Sequence, residues 1–257
     1  MILSRRIALD GVQLDELDSR IVIRSIDPGL PKESVSAVNR MGGVGQRVTA
    51  QHWETLDVTV SFAMDIRKRE LAARKALFDL VMDWADRKGW LTVNYIPGRR
   101  VYVDKVIPPA SGDLWEWDAE YTITFRAYNV PFWQDEAPSS ATMDGAASGS
   151  IALDVPGQME TPVDAVFENI SGKVIQDFSI SAGGKTLNLA GVNIPADGVL
   201  RISHGTDGLL RATVGETSVY GKITGSDDLV CGPGSVTVSF TATRAGKLTV
   251  SATGRYK

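Results

Sequence analysis

One discontinuity limits what this chain can fold into. All six tryptophans (Trp53, Trp84, Trp90, Trp115, Trp117 and Trp133) and the one well-marked helical pattern lie before residue 134. Beyond it, short alternating stretches are separated by Gly, Ser and Thr turns. A chain of 257 residues is long enough for two cores, because domains cluster near ~100 to 150 residues. The sequence therefore predicts a mainly β protein: a first β-sandwich module over 1–137 with one helix at 66–88, a linker over 138–150, and a second, jelly-roll-like sandwich over 151–257.

The first module opens as β. Asp10-Gly11 is a turn signal, and Arg20 to Ile26 reads as a strand before Asp27-Pro28-Gly29. From Leu30 to Gln46 large apolar residues are scarce, so the segment buries too little to offset its ordering entropy and reads as a long loop or hairpin arm. Trp53 to Met64 then alternates, with Val58, Val60 and Phe62 on one face. Asp65 is a candidate N-cap for a helix in which Ala73, Leu77, Leu80, Val81 and Trp84 recur at helical spacing, with Arg67, Lys68, Glu70, Arg74, Asp79, Asp83 and Asp86 opposite. Gly89 supplies its C′ position. Trp90 to Tyr95, Val101 to Ile107 and Trp115 to Tyr128 complete the strands.

Pro138, Gly145, Gly149 and several serines give residues 134–150 linker composition. In the second module Phe178/Ile180, Leu187/Leu189, Val236/Val238/Phe240 and Leu248/Val250 point inward. Ala182 to Lys185, Asp197-Gly198, Gly205 to Gly208 and Ala245 to Lys247 read as turns. The turn spacing is that of an antiparallel sandwich.

Charge and composition narrow the function. Net charge is −4, divided as 18 Lys/Arg against 20 Asp/Glu up to residue 137 and 9 against 11 after it. Neither part has the clustered cations of a nucleic-acid reader. No stretch approaches the ~18 apolar residues of a membrane helix, and Met1 to Arg6 does not continue into a secretory signal. The single cysteine, Cys231, excludes an internal disulfide and suits folding in a reducing cytoplasm.

Candidate chemistry is sparse. His52 stands beside Trp53, and His204 reads as part of a Gly-rich turn; both lack the clustered partners of a metal site or nucleophile relay. Cys231 reads as a packed or turn thiol. Gly42-Gly43-Val44-Gly45 lacks the Gly-Lys-Ser/Thr ending of a phosphate loop. Asp113, Glu116, Asp118 and Glu120 surround Trp115 and Trp117, but strand geometry points those rings and carboxylates apart. Asp207, Asp227 and Asp228 show no calcium-loop spacing and read as solvated turns. No residue is assigned a catalytic, cofactor-binding or metal-binding role, and no cofactor is expected.

The order of pieces carries more information than any one motif. Asp10-Gly11, Ile21 to Asp27, the Gly42 to Gly45 arm and the Asp57 to Phe62 strand precede the helix. Gly89-Trp90, the Pro97-Gly98-Arg99-Arg100 turn, Tyr121 to Tyr128 and Pro131-Phe132-Trp133 follow it. This order resembles the distal tail protein of long, non-contractile-tailed bacteriophages and related prophages, over nearly the whole chain and most specifically from Arg20 to Trp133.

The resemblance implies a structural, non-enzymatic protein of the virion tail tip, made in the bacterial host cytoplasm. In that family, tail-tube-like N-terminal domains form a homohexameric ring and galectin-like C-terminal sandwiches project outward. The ring joins the tail-tube protein to the tail-tip hub or baseplate and often anchors a receptor-binding protein, while DNA passes through without specific binding. Here the arm would be about Leu30 to Val48 and the outer sandwich about Ile151 to Lys257.

Physical reasoning points the same way. An arm that cannot bury its own area becomes ordered against a neighbour, and interfaces favour large aromatics such as the concentrated tryptophans. Some members of the family carry an inserted carbohydrate-binding module, for which this chain has no room. A carbohydrate-binding module recognising the host surface, using the Trp115/Trp117 pair, is the alternative reading; a wall hydrolase stands third, for want of paired carboxylates.

Overall fold

The computed structural model describes residues 5–39, 46–66, 70–109 and 120–257. The chain is mainly β and divides into two compact units between Trp133 and Gln134. No described helix is long and apolar enough to cross a membrane.

The first unit contains β1 (Ile7–Leu9), β2 (Val12–Gln13), α1 (Leu14–Leu17), β3 (Ile21–Asp27), β4 (Glu33–Asn39), β5 (Gln46–Trp53), β6 (Leu56–Met64), α2 (Leu71–Ala85), β7 (Gly89–Val93), β8 (Arg99–Val103), β9 (Lys105–Ile107) and β10 (Glu120–Ala127). Two sheets build its core, one containing the run β2-β1-β7-β8 and the other ordered β3-β6-β10-β9. Alternation does what it should in β6: Leu56, Val58, Val60, Phe62 and Met64 are buried and the residues between them are not. Tyr121, Ile123 and Phe125 of β10 sit beside Phe62, Val60 and Val58 in register. Helix α2 lies against this sheet, with Phe78 edge-on to Tyr121 and Trp84 edge-on to Phe125, each at 5.7 Å between ring centres. Trp84 Nε1 donates to the Val12 carbonyl at 2.9 Å, tying the helix to the other sheet.

The helix is shorter than its apolar pattern suggests. It starts after Glu70, not at Asp65, whose backbone N–H instead donates to Arg20 O and prolongs the sheet. Arg67 and Lys68 lie outside the described residues. Arg74, expected on the polar face, is buried, and its guanidinium donates to Ile66 O at 3.3 Å. Leu80 is exposed. Nor does Gly89 close the helix: it opens β7, where a β-carbon would collide with the Asp10 carboxylate that accepts the Trp90 N–H at 2.8 Å.

Two expected strands are each divided. The Trp53 to Met64 stretch breaks at Glu54 and Thr55, which pair with Lys32 through backbone hydrogen bonds and turn the chain. The Val101 to Ile107 stretch breaks at Asp104, whose carboxylate accepts the backbone N–H groups of Tyr128 and Asn129.

Trp133 to Asp135 form β11, and the second unit continues with β12 (Ser139–Val155), β13 (Thr161–Glu168), β14 (Phe178–Ala182), β15 (Lys185–Leu189), β16 (Val199–His204), β17 (Leu210–Val214), β18 (Thr217–Ser218), β19 (Ile223–Gly225), β20 (Val230–Cys231), β21 (Gly234–Ala252) and β22 (Arg255–Tyr256). The unit is a galectin-like sandwich made largely by curling one sheet. The long antiparallel pair β12–β21 forms the fold line. Ser139 to Met143 lie against Leu248 to Ala252, Ser148 to Val155 lie against Gly234 to Thr241, and the register shifts between them. Beyond that line, β13 and β16 to β18 extend from the C-terminal part of β21, whereas β14, β15 and β19 extend from its N-terminal part. Phe167, Phe178 and Phe240 meet between the layers, with Phe167 and Phe178 4.9 Å apart.

This geometry corrects the linker over 138–150. Its Gly and Ser residues belong to a paired strand, and Gly145, with φ +71°, sits at the shift in register where the strand bends. Ala245 to Lys247 is likewise no turn. It lies inside β21, and Gly246 is small because a β-carbon there would meet the Phe167 ring.

Candidate functional site

The feature of the first unit best suited to assembly is the β4–β5 hairpin. Glu33 stands opposite Trp53, and pairing runs outward from there with a register shift between Ser36 and Ala37. Among the described residues no further strand joins either side, so both edges offer unpaired backbone groups. Val35, Val38 and Val48 are 52%, 53% and 55% exposed, and Leu30 at the base is more so. In its described residues the expected loose arm is a paired ribbon that continues past Val48 to Trp53.

Its base is fastened by backbone and ionic contacts. Lys32 N–H donates to Thr55 O at 2.7 Å and Glu54 N–H to Lys32 O at 2.8 Å. The Asp57 carboxylate accepts from Lys32 Nζ at 2.6 Å and from Arg126 Nε and Nη2 at 2.5 and 2.9 Å. Hydrogen bonding from Arg126, then from Lys32, holds the Asp57 carboxyl below the usual range despite partial burial, and Asp57 in turn raises Arg126. Trp53 meets Phe132 edge-on at 5.6 Å.

The tryptophans are distributed differently from the expectation of an interface set. Trp84 and Trp133 are core residues, while Trp90 stacks edge-on with Tyr102 beneath the Arg100 guanidinium, 4.0 Å from its ring centre. Trp115, Trp117, Asp113, Glu116 and Asp118 lie outside the described residues, as do Gly42 to Gly45. Glu120 begins β10 and is exposed.

His52 is exposed on the hairpin, with Nε2 3.8 Å from Glu54 Oε1. Cys231 is a buried thiol 3.7 Å from Thr161 O, its pKa raised by burial and then by Glu160. Asp207 accepts two hydrogen bonds from Arg211 and one from Leu209 N–H, which bring it down to about 2. His204 is not in a turn. It ends β16 with only 6% of its side chain exposed, its Nδ1 2.9 Å from Asp164 Oδ1 and its Nε2 3.5 Å from Asp228 Oδ1. Reading the sequence linearly misses this grouping because Asp164, His204 and Asp228 come from separate segments. The one available signal is the acidic Asp164 within the apolar run of β13. Among the described residues no group of His, Cys, Asp and Glu is arranged to hold a metal ion.

Two β units, one bearing a projecting hairpin and the other a curled sandwich, define a fold seen in phage tail structures. The chain is similar to the SPP1 Dit (gp 19.1) protein, described as a paradigm of the hub adsorption apparatus in phages infecting Gram-positive bacteria: 12% identity, TM-score 0.67, covering 97% of this chain and 98% of that one. It is also similar to a chain of the phage P2 baseplate in its activated, calcium-containing conformation, at 9% identity and TM-score 0.52, covering 97% and 98%. No family model and no curated protein sequence matches the chain.

Proposed function

We propose that this chain is a structural, non-enzymatic component of a bacteriophage or prophage tail tip: a homohexameric ring adaptor between the tail tube and the tail-tip hub or receptor-binding apparatus. The observation that carries the reading is the β4–β5 hairpin, anchored at Lys32, Asp57 and Arg126 yet presenting exposed valines and two edges that no described strand pairs. Such a ribbon reaches a stable state when a neighbouring copy covers its apolar side chains or pairs its edge. The likeness in fold to SPP1 Dit and the P2 baseplate chain, extending over nearly all of each, supports the setting. The proposed partners are thus other copies of the chain, the tail-tube protein, the hub and a receptor-binding protein, with DNA passing through the ring unbound. Light scattering over a concentration series tests the reading: the mass converges on six protomers if it is right and stays at one protomer if it is wrong.

A further inference from the structure

The second unit contains a cleft that the ring role does not use. Its volume is about 580 Å³, and its wall includes His204, Leu209, Tyr220, Asp227, Asp228 and Arg255. That is within the size range of small-molecule sites.

The chemistry at its floor is unbalanced. One oxygen of Asp164 lies 2.9 Å from His204 Nδ1 and also takes the His204 backbone N–H at 2.9 Å. A carboxylate only accepts, so Nδ1 carries a proton. No hydrogen bond reaches this buried Nε2. Its charged neighbour is Asp228 Oδ1, a second acceptor, 3.5 Å away. Buried polar atoms are nearly always paired, so the unpaired Nε2 beside the Asp228 carboxylate marks a place for a ligand's hydrogen-bonding group. The Asp228 side chain is 43% exposed, and its other oxygen lies 3.4 Å from Lys185 Nζ.

The rest of the wall selects the ligand. Arg255 contributes a guanidinium, weakened as a base by burial, and Asp227 and Asp228 contribute carboxylates. A cationic ligand meets the arginine, and an anionic one meets the aspartates. A neutral ligand whose hydroxyls both donate and accept can use all of them. Tyr220, Leu209, Pro162 and Val230 supply apolar contact of the kind a sugar ring's C–H face requires.

We infer that this cleft binds a neutral saccharide unit, with hydroxyl groups hydrogen-bonded to Asp228, His204 and Arg255. The test of this site is independent of whether the ring forms.

The test is a titration of the full-length ¹⁵N-labelled protein with galactose, glucose and N-acetylglucosamine, following the His204 imidazole resonances, with tri-lysine as the cationic comparison. One of the sugars should shift the His204 signals saturably. Asp228→Asn should weaken that binding about tenfold or more, while Asp144→Asn, on exposed β12, leaves it unchanged. Thermal melts of both variants establish that they fold. His204 signals unmoved by all three sugars, tri-lysine binding in their place, or wild-type affinity in Asp228→Asn would each overturn the inference.

Discussion

Asp57 shows how much of the first unit can depend on one carboxylate. It receives the paired donors of Arg126 from β10 and the Lys32 ammonium from the hairpin base, with only 17% of its side chain exposed. Asp57→Asn removes the charge from both contacts and leaves Arg126 without its carboxylate, which should cost about 1–3 kcal/mol of stability in urea titrations at neutral pH. The pH dependence has a definite sign. Asp57 has a lowered folded pKa, and Asp207 one of about 2, so their contributions are complete above the unfolded value of about 4 and disappear as pH falls through the folded values. Between about pH 4 and pH 2 the wild type should lose stability more steeply than Asp57→Asn. Parallel slopes in acid denaturation would contradict this. At Gly246 the constraint is space: Gly246→Ala drives a methyl into the Phe167 ring and should cost about 1–3 kcal/mol.

Among the elements, those governed by local periodicity were the ones legible in the sequence. The alternation of β6 and β10 and the Leu77, Val81 and Trp84 stripe of α2 describe burial that each segment determines for itself. Trp84→Ala should accordingly be severe, about 3–5 kcal/mol, since it deletes both the Phe125 contact and the hydrogen bond to Val12. Where a segment depends on a distant partner, composition misleads. Residues 139–155 look like a linker because small polar residues serve an exposed strand as well as a loop, and only the pairing with β21 distinguishes the two. The His204 cleft was illegible for the same reason, since no local spacing joins positions 164, 204 and 228. The hairpin stands between these cases: its poverty in large side chains was plain, but its regular pairing was not. If its valines serve contacts between copies, Val35→Asp, Val38→Asp and Val48→Asp combined should abolish assembly while shifting the protomer's melting free energy by no more than about 0.5 kcal/mol each. An assembly that survives all three would remove the hairpin from the interface.

For the whole molecule, the two units have different physical designs. The first places a helix on a sheet and extends a ribbon with exposed apolar side chains; the second curls a sheet around three phenylalanines and keeps its polar cleft on the surface. In the proposed account the first unit supplies the contacts that close the ring, and the second supplies a surface for recognition. Closed symmetry explains the hairpin economically, because a head-to-tail contact repeated by rotation leaves no strand edge uncovered. Negative-stain imaging of the purified full-length protein tests this most directly. The account predicts class averages showing closed rings with sixfold symmetry; single protomers at every concentration, with no sixfold class, would contradict it.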